Sequence, residues 1–207
     1  MLKPSYLIFS VVLLVVAGFV FYSTRGGQSP EAYALEIQKE RKEKDEFMKS
    51  AEDSPFADKP AAFSGLSYFE PDLRFRISAT LSPVENKKVV VLHTSDGKEK
   101  KYLEYAFADF ELEDVPCRLL LLEIMDNGPY RGTLFLAFAD ETSARETYGA
   151  GRYLDLKKVP GASSITLDFN NAYNPYCAYA DDFSCPFPPP ENVLKVAVKA
   201  GEKNYHE

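Results

Sequence analysis

The sequence predicts a mainly β fold, α+β at the margin: an antiparallel sheet or partly closed barrel with short helices. First, apolar and polar residues alternate over residues 73–81, which is the period of a half-buried strand. Second, apolar runs at residues 118–125 and 133–139 flank the turn sequence DNGP, which is typical of a β-hairpin. Third, little helical pattern separates the predicted strands, and this favours antiparallel pairing over alternating βαβ units.

The length and composition indicate one folded domain with a short appendage, since 45% of the 207 residues are hydrophobic and 27% are charged. We divide the chain into residues 1–28, a membrane anchor or signal segment with a short linker; residues 29–53, a charged helical stalk; and residues 54–207, a β-rich globular domain. The net charge of -7 offers no concentrated basic surface, so we expect no nucleic-acid partner. Composition leaves the oligomeric state undetermined.

Residues 6–22, YLIFSVVLLVVAGFVFY, contain no charged side chain and lie between Lys3 and Arg25. A transmembrane helix needs about 17 to 25 apolar residues, and Tyr6 and Tyr22 suit the headgroup boundary. A cleaved signal peptide would require small residues at an A-x-A-like site, which the following sequence does not provide. We therefore expect a single-pass membrane protein with an uncleaved anchor and its C-terminal domain outside the cytoplasm. A cleaved signal and a buried helix are the alternatives.

The next segment begins as helices often do, with Ser29 as a hydroxyl cap, Pro30 at the first position and Glu31 in the first turn. We expect the helix to extend to Lys49. The charged run KERKEKDE interrupts its apolar residues, so we interpret it as a solvated stalk packed only at its ends. A partner-binding helix is the alternative.

Strand patterns continue through the globular domain. The predicted strands after residues 73–81 are residues 89–94, 102–110, 118–125, 133–139, 164–169 and 193–200. Residues 140–147 are polar and predict one or two helical turns, capped by Asp140 and ended by the sequence GAG at residues 149–151.

The chain carries no nucleotide-binding glycine pattern, Walker loop, zinc-protease helix or G-x-S-x-G elbow. Its two histidines, His93 and His206, lie far apart in the sequence. We therefore expect no metal site and no histidine general base. A serine or cysteine nucleophile would need Lys, Asp or Glu as its partner, which is a rarer arrangement.

The most informative stretch is the 168–192 loop, DFNNAYNPYCAYADDFSCPFPPPEN. It is too rich in Pro, Asn and aromatic residues for a regular element, and long loops in compact domains are commonly functional or disordered. Its aromatic rings and cysteines argue against disorder. The candidate ligand-binding residues in and near this loop are Arg152, Tyr153, Asp168, Asn170, Asn174, Glu191 and Asn192.

Each of these side chains has a functional and a structural interpretation. Arg152 begins an extended segment, where its guanidinium would clamp a carboxylate or phosphate. The alternative is an internal ion pair with Asp168 or Glu191. Asp168 and Asn170 end a strand, where such side chains commonly bond local backbone amides. Lys203 is either a solvated terminal lysine or a catalytic amine.

The chain contains three cysteines, Cys117, Cys177 and Cys185. Cys117 precedes an apolar run and is interpreted as a small buried hydrophobe. Cys177 and Cys185 are a candidate disulfide in an oxidising compartment, worth about 2 to 3 kcal/mol. Two buried free thiols are the second interpretation. Metal binding or thiol chemistry is the third, although a zinc site would need further ligands.

From about Lys44 to Tyr205 the chain resembles the bacterial family known as domain of unknown function 1684. The segments that carry the resemblance are SPFADK, FSGLSYF, TYGAGRYLDL, LDFNNAYNPYCAY, CPFPPPEN and AGEKNY. Together they cover most of the globular domain in the family's order. The resemblance implies no particular activity, partner or catalytic residue, and the cofactor stays unknown.

For function we expect a small-ligand-binding module with a pocket built around the 168–192 loop. Its aromatic floor would consist of Tyr153, Phe169, Tyr173, Tyr176 and Tyr179. The first alternative is a hydrolase that uses Asp168 or Glu191 as general base, with Arg152 stabilising negative charge. The second is a structural or assembly protein of the cell envelope.

Overall fold

The computed structural model describes residues 28–205 of the chain. Within this range the chain forms one α-helix, α1 (Pro30–Ser50), several short 3₁₀ turns and seven β-strands. The strands are β1 (Arg76–Pro83), β2 (Val89–His93), β3 (Glu99–Leu112), β4 (Val115–Ile124), β5 (Leu134–Phe138), β6 (Arg152–Leu156) and β7 (Ser164–Asp168). The mainly β prediction is confirmed.

All seven strands join one antiparallel sheet in the order β6-β5-β4-β3-β1-β7, with β2 also paired to β3. The long strand β3 pairs with β2 through residues 99–103 and with β1 through residues 106–109. The register with β4 shifts between Glu104 and Ala106, where β3 changes from one neighbour to the other. Such a bulge bends a strand and increases its twist.

The two edges of the sheet are linked by the chain that follows β7. Tyr153 of β6 and Tyr173 exchange two backbone hydrogen bonds of 2.8 and 3.0 Å. The chain after one edge strand therefore pairs with the opposite edge strand, and the sheet is a curled antiparallel half-barrel.

The apolar run of β4 is buried on both faces of the sheet. Leu119 and Leu121 belong to one apolar cluster, and Leu120 and Leu122 belong to a second cluster. Successive side chains of a strand point to opposite faces, and burial of both faces explains why this strand shows no polar alternation.

The predicted hairpin around DNGP is confirmed, because β4 and β5 pair with Leu122 opposite Phe135. The predicted strands at residues 89–94, 102–110 and 164–169 are also present, and β3 is longer than expected. The first strand begins later than predicted. Leu73–Phe75 form a 3₁₀ turn, which the Asp72 side chain caps by accepting a hydrogen bond from the Arg74 amide.

The helical turns predicted at residues 140–147 are wrong, since this segment forms irregular turns. Asp140 accepts a hydrogen bond from the Thr142 amide at 2.8 Å, as a cap would. Ala144, however, has a φ of 61°, and this left-handed conformation interrupts a right-handed helix.

The strand predicted at residues 193–200 is also wrong. Its alternation is real, because Leu194, Val196 and Val198 are buried and the residues between them are more exposed. The segment makes one isolated bridge to Ala139 rather than a ladder. The carbonyls of Val198 and Ala200 accept hydrogen bonds from the Arg152 guanidinium instead of from a neighbouring strand.

Helix α1 follows the predicted start, with the Ser29 side chain accepting a hydrogen bond from the Ala32 amide at 3.2 Å. The helix is not the solvated stalk, packed only at its ends, that the sequence predicted. Tyr33, Ile37 and Met48 are buried along the length of the helix. These buried residues, together with the polar contacts of Arg41 and Lys44, pack the helix against the β-sheet domain.

In residues 28–205, no helix combines the length and apolar character needed to cross a bilayer. The span predicted at residues 6–22 lies outside the described residues, as does His206.

Candidate functional site

A cleft of about 680 Å³ lies between α1, one face of the sheet and the 168–192 loop. Its volume is in the range of small-molecule sites. Helix α1 contributes Glu40, Arg41, Lys44, Phe47 and Met48 to its lining. The sheet contributes Lys100, Tyr102, Ile124, Phe135, Tyr153 and Asp155, and the loop contributes residues such as Tyr173, Tyr176, Phe183 and Cys185.

Aromatic rings form a continuous surface across the cleft. Tyr102 and Phe135 stack with their centroids 5.2 Å apart, and Phe135 meets Tyr153 edge-on at 4.8 Å. Tyr153 in turn meets Tyr173 edge-on at 5.8 Å. The Tyr153 hydroxyl donates to the Pro186 carbonyl at 2.6 Å, which fixes the loop against the sheet. The predicted aromatic floor is thus present in part, with Tyr153, Tyr173 and Tyr176 in the lining.

Asp155 is the carboxylate at the aromatic end of the cleft. Its Oδ2 accepts a hydrogen bond of 2.9 Å from the Tyr173 hydroxyl. Desolvation by the surrounding protein raises the pKa of Asp155, while Tyr173 and the charge of Lys44 oppose the shift. Within residues 28–205 this carboxylate forms no ion pair. It is therefore open to a donor from a ligand.

The cations that line the cleft are engaged by the protein. Lys44 Nζ lies 2.9 Å from Glu202 Oε2 and 4.7 Å from the centre of the Tyr173 ring. Arg41 stacks on Tyr68 at 4.4 Å and donates to a backbone carbonyl at 2.8 Å. Lys100 donates to the carbonyl of residue 184 at 3.0 Å. These bonds hold the helix and the loop in place around the cleft.

Glu202 connects three segments at the back of the cleft. Its carboxylate accepts hydrogen bonds from Lys44, from Asn174 Nδ2 at 2.9 Å and from the Tyr179 hydroxyl. Asn174 Nδ2 also donates to the Lys203 carbonyl at 2.8 Å. Asn174 is therefore a structural residue that ties the loop to the C-terminal segment, and it does not line the cleft.

Arg152 is fully buried, and its predicted role in a cleft is not supported. Its Nη2 lies 3.0 Å from Asp140 Oδ2 and 2.9 Å from the Val198 carbonyl. Its Nη1 donates to the carbonyls of Ala200 and Glu202. Burial lowers the pKa of Arg152, and Asp140 opposes this shift. The guanidinium therefore forms an internal ion pair, but with Asp140 rather than Asp168 or Glu191.

Asp168 and Asn170 have structural roles: Asp168 accepts the predicted local bond from the Asn170 amide at 3.2 Å, but most of their contacts are with distant segments. Asp168 accepts a hydrogen bond of 2.7 Å from the Tyr33 hydroxyl, and its carboxylate lies 3.5 Å from Arg76 Nε. The Asn170 side chain exchanges two 2.8 Å hydrogen bonds with the backbone of Asp72. Asn170 also borders the cleft, whereas Asp168 does not.

Asn192 and Glu191 lie away from the cleft. Asn192 is buried, and its side chain bonds the Leu120 amide, the Leu120 carbonyl and the Ala137 carbonyl at 2.6 to 2.9 Å. It therefore joins β4 to β5. Glu191 is exposed. The hydrolase arrangement of Arg152 with Asp168 or Glu191 is not assembled.

Cys177 and Cys185 are free thiols that lie close together in the loop. The Cys177 amide donates to Cys185 Sγ at 3.3 Å. Cys117 is buried in β4, as expected for a small hydrophobe. A disulfide between Cys177 and Cys185 stays a prediction.

Sequence reasoning missed the parts of the cleft that come from distant segments, above all Lys44, Tyr102, Phe135 and Asp155. One signal was available for Asp155: it is two residues after Tyr153 in a strand, so both side chains point to the same face. Nothing in the local sequence of α1 indicated that Lys44 would lie opposite this strand.

Fold and site together define a curled antiparallel half-barrel domain with an aromatic cleft bordered by an N-terminal helix. The chain belongs to the family described as Protein of unknown function (DUF1684), which matches residues 61–203. It is similar to the solution NMR structure of an uncharacterised protein of Haloarcula marismortui. The two chains are 39% identical with a TM-score of 0.65, and the match covers 86% of this chain and 97% of that chain. No curated protein matches the chain.

Proposed function

We propose that this domain is a small-molecule-binding module whose ligand occupies the cleft between α1 and the aromatic face of the sheet. A site of about 680 Å³ whose lining combines aromatic rings with charged and amide side chains has the makeup of a ligand pocket.

The observation that carries the proposal is the environment of Asp155. Its carboxylate is solvent-exposed, accepts a hydrogen bond from the Tyr173 hydroxyl, and lies on the same face of the sheet as the Tyr153 and Phe135 rings that line the cleft. Aromatic faces attract cations, and a carboxylate beside them adds to that attraction. The ligand class that fits is a planar or apolar body that carries a cationic or hydrogen-bond-donating group placed against Asp155.

The hydrolase alternative lacks a comparable observation. Asp155 lines the cleft with a raised pKa, but no second carboxylate or nucleophile is paired with it in the part of the chain that the structure describes. Binding is therefore the function that these groups favour.

Two aromatic fluorescent probes of opposite charge test the proposal on the full chain. Thioflavin T is a planar cation, and 1-anilinonaphthalene-8-sulfonate is an aromatic anion. We expect saturable binding of the cation, weakened at least about fivefold by Asp155→Asn because the ion pair is lost. Glu85→Gln removes an exposed carboxylate outside the cleft and serves as the matched control.

A second variant tests the location of the site. Tyr130 lines the cleft and is 70% exposed, so Tyr130→Ala leaves the core intact. We expect it to weaken the binding of the cationic probe. Unchanged affinity in both Asp155→Asn and Tyr130→Ala would contradict the proposal. Native mass spectrometry of the purified chain would then identify any copurifying ligand.

We further propose that residues 6–22 anchor the chain in a membrane and that the domain lies outside the cytoplasm. The uncharged apolar run supports this location. The anchored chain is expected to stay in the membrane pellet after an alkaline carbonate wash. Protease added outside intact cells is expected to digest the domain. Release by carbonate, or full protection from the protease, would contradict the respective half of the proposal.

A further inference from the structure

Cys177 and Cys185 form a thiol pair beside the cleft. The Cys177 amide donates to Cys185 Sγ at 3.3 Å. The Tyr148 hydroxyl lies 3.7 Å from Cys177 Sγ. The Ser95 hydroxyl accepts a hydrogen bond of 3.2 Å from the Cys185 amide. These bonds hold Cys185 Sγ against the backbone of Cys177 and fix the backbone of Cys185, while both cysteines are free thiols.

The two thiols are not equivalent. Cys177 is half-buried, whereas Cys185 is 7% exposed and lines the inner wall of the cleft. Hydrogen bonds from Cys185 and Tyr148 lower the pKa of Cys177 to about 6, although burial opposes the shift. The hydrogen bond to Cys177, together with burial, raises the pKa of Cys185. Cys177 is thus the more accessible of the two thiols, and its pKa is shifted in the direction that favours the thiolate.

We infer that Cys177 and Cys185 form a thiol–disulfide exchange site, in which Cys177 attacks a low-molecular-weight disulfide and Cys185 resolves the product. The attacking group in such exchange is a thiolate, and an accessible thiolate beside a second thiol is the arrangement that the reaction needs. The inference depends on the thiol pair alone and not on the ligand of the cleft.

The reaction balances in two steps. The Cys177 thiolate attacks one sulfur of the disulfide RSSR, which forms the mixed disulfide Cys177–S–S–R and releases RS⁻. The Cys185 thiol then gives its proton to solvent and attacks the Cys177 sulfur, releasing the second RS⁻. The two protein thiols are oxidised to one disulfide, and RSSR is reduced to two thiols.

Cys117 provides an internal control in the same chain. It is buried in β4 opposite Phe110, and burial raises its pKa. No second cysteine lies beside it among the described residues. A thiol without a partner and with a raised pKa should react slowly.

Several other titratable groups face the thiol pair or the adjacent Tyr148 hydroxyl. They are Tyr102, Tyr148, Tyr153, Lys100 and Asp181. Each of the tyrosines has a raised pKa, so these hydroxyls remain protonated near neutral pH. The ionisation that governs reactivity below pH 8 is then that of Cys177.

The test uses the reduced full chain and oxidised glutathione, followed by intact-mass and peptide mass spectrometry. We expect Cys185→Ser to accumulate glutathione on Cys177, because the resolving thiol is missing. The unsubstituted chain and Cys117→Ser should instead form the Cys177–Cys185 disulfide. At pH 7, Cys177 of the Cys185→Ser variant should react at least about fivefold faster than Cys117 in the same molecules.

Two results would overturn the inference. One is glutathione uptake at Cys177 that is no faster than at Cys117. The other is a mixed disulfide at Cys177 that persists in the unsubstituted chain, because Cys185 would then not resolve it. Circular dichroism of each variant establishes that the fold is retained, and Cys177→Ser should leave the reactivity of Cys117 unchanged.

Discussion

Lys44 Nζ lies 2.9 Å from Glu202 Oε2, so an ion pair joins the N-terminal helix to the C-terminal end of the domain. Glu202 is almost fully buried, and the same carboxylate binds Asn174 and Tyr179 of the loop. One residue therefore holds the helix and the loop on either side of the cleft. Helix α1 is part of the site rather than a spacer that precedes it.

Removing the charge of Lys44 should destabilise the protein because Glu202 would stay buried without its cation. We expect Lys44→Met to lower the free energy of unfolding by about 1 to 3 kcal/mol in urea titrations. Lys39→Met is the matched control in the same helix. Its ion pair with Glu43 is 3.6 Å long and largely exposed, so the expected change is below about 0.5 kcal/mol. Equal effects of the two substitutions would contradict the role of Glu202.

Arg152 should be essential for stability rather than for ligand binding. Arg152→Lys keeps the charge but cannot reproduce the several hydrogen bonds to Asp140 and the backbone carbonyls. A loss of about 3 kcal/mol or more is expected in the same urea titrations. Lys199→Met, which breaks an exposed 3.6 Å pair with Glu146, should change the stability by less than about 0.5 kcal/mol. A stable Arg152→Lys variant that loses binding of the cationic probe would contradict this assignment.

Asp155 should decrease stability at neutral pH, since folding raises its pKa. An acid with a higher pKa in the folded state binds its proton more tightly there. Its ionisation therefore costs stability as the pH rises above the unfolded value. We expect Asp155→Asn to raise the melting temperature at pH 7 relative to the unsubstituted chain, with a smaller difference near pH 4. The loss of the Tyr173 hydrogen bond opposes the gain. A difference that grows toward acid pH would have the wrong sign.

Gly151 occupies a position that admits no side chain. Its φ is 89°, and an added Cβ would lie 2.5 Å from the Phe138 carbonyl oxygen and 2.8 Å from Pro188 Cγ. Gly151→Ala should therefore lower the free energy of unfolding. The left-handed φ accounts for about 1 kcal/mol, and the close contacts add at least about 2 kcal/mol. Gly97→Ala measures the conformational penalty alone, because Gly97 has a φ of 77° and an added Cβ there would meet no heavy atom within 4 Å. Thermal melts of both variants compare the two costs, and equal shifts would disprove the close packing.

The strands and the hairpin could be predicted because their signals are local. The apolar runs on both sides of DNGP become β4 and β5, and alternation locates β1 and β7 to within a few residues. The segment at residues 193–200 shows the limit of this reasoning. Alternating burial predicts an extended backbone, but whether carbonyls meet a neighbouring strand or the Arg152 guanidinium depends on the packing of distant segments.

The candidate site was only partly predictable for the same reason. Tyr153 and Asn170 were expected and do border the cleft, whereas Arg152 was expected and is buried. The isolated sequence shows that Arg152 needs an anionic partner but does not show which one. Asp140 became that partner because β5 and β6 are paired side by side, which brings the end of one strand to the start of the other.

The sequence by itself determined the mainly β class, the hairpin, the helix start at Ser29 and the irregular character of the 168–192 loop. These properties follow from periodicity, turn chemistry and capping, which act over a few residues. Only the tertiary structure decided that Lys44 lies opposite Glu202 and that Asp155 accepts a hydrogen bond from Tyr173 beside the cleft. Such contacts depend on the curl of the sheet and on the docking of α1, and both result from packing between residues far apart in the chain.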